Sequence, residues 1–262
     1  MKEIHPFTIR KRKLGSPFIA SIPHGSSFLT DEMKSKIYGE VILTNNDWFI
    51  RELYDFLESI HFTIISANYS RYVIDVNRDL SLRGNRDKYT RSLIYYTTTF
   101  GKNIYDVELD EAEIRNRIET IYLPYHYCLL EEIRSFQLKN RKVYLFDLHS
   151  FYIQSTADIV LGTCGGCTCS AKFLNILVES FQEEGFIVEV DREGLTGGYI
   201  VSHYGLYPDV EAVQIEIRYT AYIEDRTFGE EEVINKNKGL FNATKARLYK
   251  AFLRIQEELE FS

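Results

Sequence analysis

The chain is 262 residues long, with 45% apolar and 26% charged residues, a globular composition without the low hydrophobicity of a disordered chain. Its formal net charge of -7 has the wrong sign for a general nucleic-acid binder, since phosphate binding needs a positive field. No run approaches the roughly 20 apolar residues of a membrane span, and the basic, mixed opening Met1 to Lys13 lacks a signal-peptide core, so a cytoplasmic protein with no membrane or nucleic-acid partner is expected. A chain of this length can bury one sizeable core, and a single domain over residues 1–262 is the starting expectation. Three cysteines bunch at Cys164, Cys167 and Cys169, a poor disulfide framework that fits a reducing compartment.

In chain order, the first β-rich apolar run, Pro17 to Ile22, predicts a strand that delivers Pro23-His24-Gly25 at its end. Asn46 to Ile60 reads as helix with Asp47 near its start, and Phe62 to Ala67 as the next strand. There follows Ser70-Arg71-Tyr72-Val73-Ile74-Asp75-Val76-Asn77-Arg78-Asp79, which sets Arg71, Asn77 and Arg78 among apolar neighbours. Leu80 to Asp110, polar and Tyr-rich with Gly84 and Gly101, reads as a long loop or lid. Leu109 to Asn140 is helical, interrupted by Pro124, and carries His126. Lys142 to Leu148 is a strand that ends at His149, and Asp158 to Leu161 is another. After a helix over Ser170 to Glu184 and a strand over Phe186 to Val190, Gly197-Gly198 and Gly205 suggest turns with positive φ or close approach to a ligand. The last strand, Ala212 to Ile217, contains Glu216, and Gly229 to Glu260 closes the chain as helix. Strands alternating with helices imply an α/β sheet covered on both faces.

The chemistry gathers at strand ends. His24 and His149 each follow a strand, and the carboxyl ends of strands in such sheets open toward the ligand crevice, so the two can meet there. Zinc accepts neutral imidazole and carboxylate, and a catalytic site commonly takes three protein ligands and keeps one position open. Either histidine alone is explained as well by a strand-end hydrogen bond; the pair favours a metal. Asp47 is a candidate third ligand, although helix capping also selects Asp at that place. Glu216 interrupts an apolar strand, and a buried carboxylate is costly unless paired, so it is either the general base of a metal hydrolase or half of an ion pair with an Arg. The planar forks of Arg71 and Arg78 suit carboxylates, though a solvated strand edge would look the same. His126 lies inside a helical stretch, where histidine is more often a packing residue than a catalyst. The cysteine cluster lacks a second paired half and reads as a loop with incidental thiols.

Taken together, several short pieces in a shared order resemble the N-formylglutamate amidohydrolase family over nearly the whole chain. They are Ser21-Ile22-Pro23-His24-Gly25, Asp47-Trp48, the run from Ser70 to Arg78, Pro124-Tyr125-His126, Asp147-Leu148-His149-Ser150, Leu161-Gly162, Gly197-Gly198-Tyr199 and Gln214-Ile215-Glu216-Ile217. The resemblance implies a mixed central sheet flanked by helices, related to that of zinc carboxypeptidases and aspartoacylases. It implies zinc, or another divalent metal, on His24, Asp47 and His149, with Glu216 as general base and His126 assisting. Arg71, Asn77, Arg78 and the Gly197-Gly198 turn would bind a small-molecule substrate. The implied reaction is hydrolysis of the amide of an N-formyl or small N-acyl acidic amino acid, such as N-formyl-L-glutamate, in histidine breakdown. The chain departs from the family pattern at Arg218-Tyr219, where relatives tend to show Asn-Arg, and at Gly25-Ser26-Ser27-Phe28, in place of a Ser-Gly pair followed by Pro. These departures bear on substrate preference. The competing readings are another zinc N-acyl amino acid hydrolase or carboxypeptidase on the same fold, and an inactive binding protein that keeps it. Retention of His24, His149 and Glu216 together argues against the last.

Overall fold

The computed structural model describes residues 4–11, 16–86, 92–138 and 142–260. Its strands are β1 (Phe7–Arg10), β2 (Phe18–Ile22), β3 (Thr63–Ala67), β4 (Val143–Phe151), β5 (Ile159–Gly162), β6 (Val188–Val190) and β7 (Val210–Arg218). They form one seven-stranded sheet in the order β1-β3-β2-β4-β7-β5-β6. The centre is parallel, with β2 between β3 and β4 and β7 beside β4. β1 and β5 run antiparallel to their neighbours β3 and β7, and β6 runs parallel to β5, so the sheet is mixed, as the resemblance implies. β1 is the strand that the sequence does not announce. It is four residues long, alternates half-buried with exposed positions and ends in Arg10, the profile of a blunted edge strand.

Helices cover both faces: α1 (Asp31–Lys34), α2 (Ile50–Leu53), α3 (Glu111–Arg117), α4 (Leu123–Gln137), α5 (Ala171–Glu183), α6 (Tyr199–Tyr204), α7 (Tyr219–Tyr222) and α8 (Lys238–Glu260). On one face Phe18, Phe146, Leu148, Val213 and Ile215 pack under α2, α5, α7 and α8 through side chains such as Leu53, Phe173, Tyr222 and Phe252. On the other, Ile19, Val143, Leu145 and Ala212 pack under α4 and α6 through Tyr125, Leu129, Ile200 and Tyr204. The first face stays apolar to the strand ends. The second does not: Ile19 gives way to Ser21, Leu145 to Asp147 and His149, and Ala212 to Gln214 and Glu216, all buried. Successive side chains on a strand alternate faces, so this polar patch occupies one face at the carboxyl ends of three adjacent strands.

Several elements differ from expectation for local reasons. Asn46 to Ile60 gives only α2 and a 3-10 turn at Asp55–Glu58, because Phe49 takes the left-handed conformation, φ 58, just before α2. Glu111 to Gln137 does run helically past Pro124, but through a π-helical turn at Ile118–Tyr122. That wider turn accommodates a proline that lacks an N–H and crowds the carbonyl four residues back. α8 begins at Lys238 rather than Gly229, with the Asn237 side chain accepting from the Leu240 N–H. The stretch expected as a lid is largely packed: Leu93, Ile94, Tyr95, Ile104, Tyr105 and Leu109 are buried. Residues 87–91 of that stretch lie outside the described residues. Among the described residues no helix is long and apolar enough to cross a membrane.

Candidate metal centre and active site

His24, Asp47 and His149 converge, each buried, with one ligand atom from each lying within 4.8 Å of the others. Three different devices bring them there. His24 follows β2 by two residues, and its carbonyl accepts from the Asp47 N–H at 3.1 Å, which docks the Asp47 segment against it. His149 lies inside β4, since that strand runs three residues further than its apolar run, and its imidazole falls on the polar face. Asp47 is not a helix cap: α2 begins after Phe49 and has no side-chain cap bond. Its carboxylate instead takes Ser150 Oγ at 3.2 Å on Oδ1 and His149 Nδ1 at 3.1 Å on Oδ2.

Each histidine is oriented from behind by a carboxylate. His24 Nε2 bonds Asp75 Oδ1 at 2.7 Å, and His149 Nε2 bonds Asp147 Oδ2 at 2.8 Å. Both carboxylates are fully buried and anchored. Asp75 accepts from the Asn77 N–H at 2.7 Å, from Arg71 Nη2 at 3.0 Å and from the Tyr95 hydroxyl. Asp147 accepts from Ser21 Oγ at 2.7 Å and Asn77 Nδ2 at 3.1 Å. Burial, with Arg71 nearby, pushes His24 down to about 4 against the pull of Asp75, so its ring is neutral at neutral pH. With the Nε2 proton on Asp75, Nδ1 carries the lone pair. That atom is buried, has no hydrogen-bond partner among the described residues, and faces Asp47 Oδ2 at 3.8 Å. An unpartnered imidazole nitrogen beside a carboxylate and a second imidazole is a donor set that suits zinc, whose bonds of about 2 Å need only a small contraction of the group. Carboxylates behind ligating histidines are the usual support of such a site. For His149, burial opposes its charge, but Asp147 and Asp47 outweigh it and raise its pKa well above the usual value, so a metal on Nδ1 would displace a proton.

Glu216 is the register partner of His149 across the β4–β7 pair. Its Oε1 accepts from Gln214 Nε2 at 2.9 Å, while its buried Oε2 has no hydrogen-bond partner among the described residues. Among the described residues it forms no salt bridge within 4 Å, so the ion-pair reading finds no Arg. Burial pushes its carboxyl up to about 7, with His149 and Arg71 opposing and Asp47 and Asp147 adding. Glu216 is thus a buried carboxyl poised near neutrality beside a group that could hold a metal ion.

The remaining candidates divide. Arg71 is 7% exposed and committed to Asp75, with a further bond to Tyr95 OH at 3.0 Å. Arg78 is half-buried, and its Nη1 bonds the Asn77 carbonyl at 3.2 Å. Asn77 is buried and its amide is spent on protein, with Oδ1 accepting from the Ile200 N–H at 2.8 Å and Nδ2 donating to Asp147. Both ring nitrogens of His126 are committed to protein groups: Nε2 bonds the Val76 carbonyl at 2.8 Å, Nδ1 bonds Tyr204 OH at 2.9 Å, and burial pushes its pKa down to about 4. Gly198 must lack a side chain, because a Cβ there would lie 2.3 Å from Asn77 Nδ2. Gly197, at φ 125, would put a Cβ 2.7 Å from Cys164 Sγ. The cysteines sit in the loop after β5, which folds around Asp191 through bonds to the Thr163 and Gly165 N–H groups at 2.7 and 3.1 Å. Asp75, Asp147, Gln214 and Ser21 are the site members whose roles the residue types alone did not reveal. For Ser21, Asp147 and Gln214 the signal was the period-two polar positions inside otherwise apolar strands; Asp75 lies in the irregular segment after β3 and carries no such signal. A cavity of about 870 Å³, lined by residues including Phe28, Glu32, Tyr69 and Arg117, contains none of these groups.

The model of the N-formylglutamate amidohydrolase family matches residues 16–223, which span every group of the cluster. An N-formylglutamate deformylase of Pseudomonas aeruginosa is 30% identical over 80% of this chain and 83% of its own length, and one of Pseudomonas putida is 29% identical over 80% and 82%. The crystal structure of N-formylglutamate amidohydrolase from Ralstonia eutropha superimposes with a TM-score of 0.81 at 26% identity, covering 98% of this chain and 99% of that one. An Agrobacterium tumefaciens gene product at 18% identity, with a TM-score of 0.75 over 97% and 94% of the two chains, shares the fold. The chain belongs to the N-formylglutamate amidohydrolase family.

Proposed function

We propose that this chain is a metal-dependent amidohydrolase that removes the formyl group from an acidic N-formylamino acid, N-formyl-L-glutamate first among them. The observation that carries the chemistry is the pairing of His24, Asp47 and His149 with the unpartnered, buried Oε2 of Glu216. His24 through Nδ1, His149 through Nδ1 and Asp47 through Oδ2 would hold the ion, zinc by donor type. When bound, such an ion is a Lewis acid that acidifies water and polarises a carbonyl. Glu216 takes the proton of the attacking water on Oε2 and returns it to the leaving amine. Arg78 anchors a carboxylate of the amino-acid portion, and Arg71 stiffens the site through Asp75. His126 and Asn77 act from behind, His126 by fixing the Val76 carbonyl and Asn77 through Asp147. In this reading the substrate is a small molecule met in the cytoplasm, in the breakdown of histidine.

The deciding experiment joins metal analysis of the purified protein to a screen of N-formyl and N-acetyl amino acids for amine release, repeated on Glu216→Gln. Gln keeps the shape but cannot accept the proton. The expected result is full metal content, a similar melting temperature and a rate lower by roughly 100-fold or more. Near-normal turnover of the Gln variant on its best N-formyl substrate would remove Glu216 as the base.

A further inference from the structure

Gln214 stands two residues before Glu216 on β7, on the same polar face and 5% exposed. The Gly198 N–H lies 2.7 Å from Gln214 Oε1. A backbone N–H only donates, so the atom facing it is the carbonyl oxygen, and the amide is thereby fixed with Nε2 toward Glu216. Nε2 only donates as well, and it meets Glu216 Oε1 at 2.9 Å. One carboxylate oxygen is therefore occupied as an acceptor while Oε2 has none of the described residues as a partner.

The latch is itself held. Gly198 sits against the Asn77 side chain with no room for a Cβ, and Asn77 Oδ1 accepts from the Ile200 N–H at 2.8 Å at the start of α6. Asn77 Nδ2 reaches Asp147, which holds His149 Nε2. The connections close a circuit from His149 through Asp147, Asn77, the Gly198 turn and Gln214 to Glu216, which is the register partner of His149. We propose that Gln214 is a positioning residue that holds Glu216 by Oε1, so that Oε2 alone takes the proton, and that ties the base to the same turn that orients a metal ligand. This rests on the reading of Glu216 as general base. Without the grip the carboxylate turns about its last torsion, and the fraction of time that an oxygen faces the water falls, a loss of alignment rather than of affinity.

The competing role for Gln214 is structural, a plug for the Gly198 N–H with no effect on Glu216. Two variants separate them on N-formyl-L-glutamate, with metal content and melting temperature measured alongside. Gln214→Met keeps length and bulk but has no amide. Gln214→Glu keeps an acceptor for Gly198 but sets a second carboxyl against Glu216. In both, kcat is expected to fall roughly 10- to 100-fold, part of the general-base contribution, with KM and metal content within about twofold of the parent. Should Gln214→Met fold poorly, Gln214→Glu carries the test. In the Glu216→Gln background Gln214→Met should add less than about twofold, because the two residues act as one unit. An equal loss with and without Glu216→Gln, or an unchanged kcat in Gln214→Glu, overturns the proposal. A Glu216→Gln variant that keeps its turnover overturns the base assignment first and this inference with it. An inert Glu216→Gln beside a fully active Gln214→Met overturns this inference alone.

Discussion

Asp75 and Asp147 decide which nitrogen of each histidine is left for an ion. A carboxylate on Nε2 fixes the tautomer and the ring plane, so Nδ1 points at Asp47 in both cases. Removing the charge behind His24 should weaken metal binding without touching a ligand. For Asp75→Asn the expected loss is about 10- to 100-fold in zinc affinity, measured by competition with a chromogenic chelator. It should come with a drop in stability, because Arg71 loses the buried carboxylate that balances its charge, at a cost of up to about 3 to 5 kcal/mol. An unchanged affinity in folded Asp75→Asn would show that Asp75 does not tune the site. The two arginines are expected to separate in the same way. Arg78→Ala should raise KM for N-formyl-L-glutamate and spare metal content, by up to about 2 to 5 kcal/mol if the contact is desolvated. Arg71→Ala should lower stability first, since it removes the cation that balances the buried Asp75 charge. A normal KM with full activity in Arg78→Ala would take Arg78 out of the pocket.

The elements show how much of this was legible. β2, β4 and β7 are readable from apolar and β-branched runs, and their order along the chain is enough to bring His24 and His149 to one edge. Glu216 is readable as a buried carboxylate for the same reason. What the runs hide is the change of one face from apolar to polar before each strand ends, which is why β4 and β7 reach Phe151 and Arg218. Asp47 was readable as a candidate but not separable from a helix cap, because a loop supplies it, flanked by a left-handed Asn45 at φ 56 and Phe49 at φ 58 that no periodicity encodes. His126 on α4 is a case where the bland reading and the geometry agree on burial. Its pKa is lowered from 6.5 to about 4 by burial, so between those values the unfolded chain binds a proton that the folded chain refuses. Its contribution to stability is therefore present above pH 6.5 and is lost as the pH falls toward 4, by up to roughly 3 kcal/mol. In metal-free protein, the fall in melting temperature from pH 7 to pH 5 should be smaller in His126→Gln than in the parent. Equal falls would mean that His126 is not held neutral.

At the scale of the whole molecule the three candidate ligands join segments that the sequence keeps far apart, Asp47 and His149 being 102 residues from each other. An ion that binds all three meets that arrangement only in the folded chain, so it stabilises the fold by mass action, by about 2.7 kcal/mol at a free concentration of 100 times Kd. For a chain of this size 1 kcal/mol moves the melting temperature by about 2 to 4 °C, so zinc-loaded protein should melt roughly 5 to 10 °C above chelator-treated protein. The increment should grow with the logarithm of free zinc. It should shrink as the pH falls, because the proton that Asp47 and Asp147 hold on His149 competes for the site. His24→Ala should abolish the increment, and Glu216→Gln should keep it while losing turnover, which divides holding the ion from using it. A melting temperature that ignores both chelator and added zinc would show that these three side chains hold no ion, and the cluster would then be a hydrogen-bonded core of two histidines and their carboxylates.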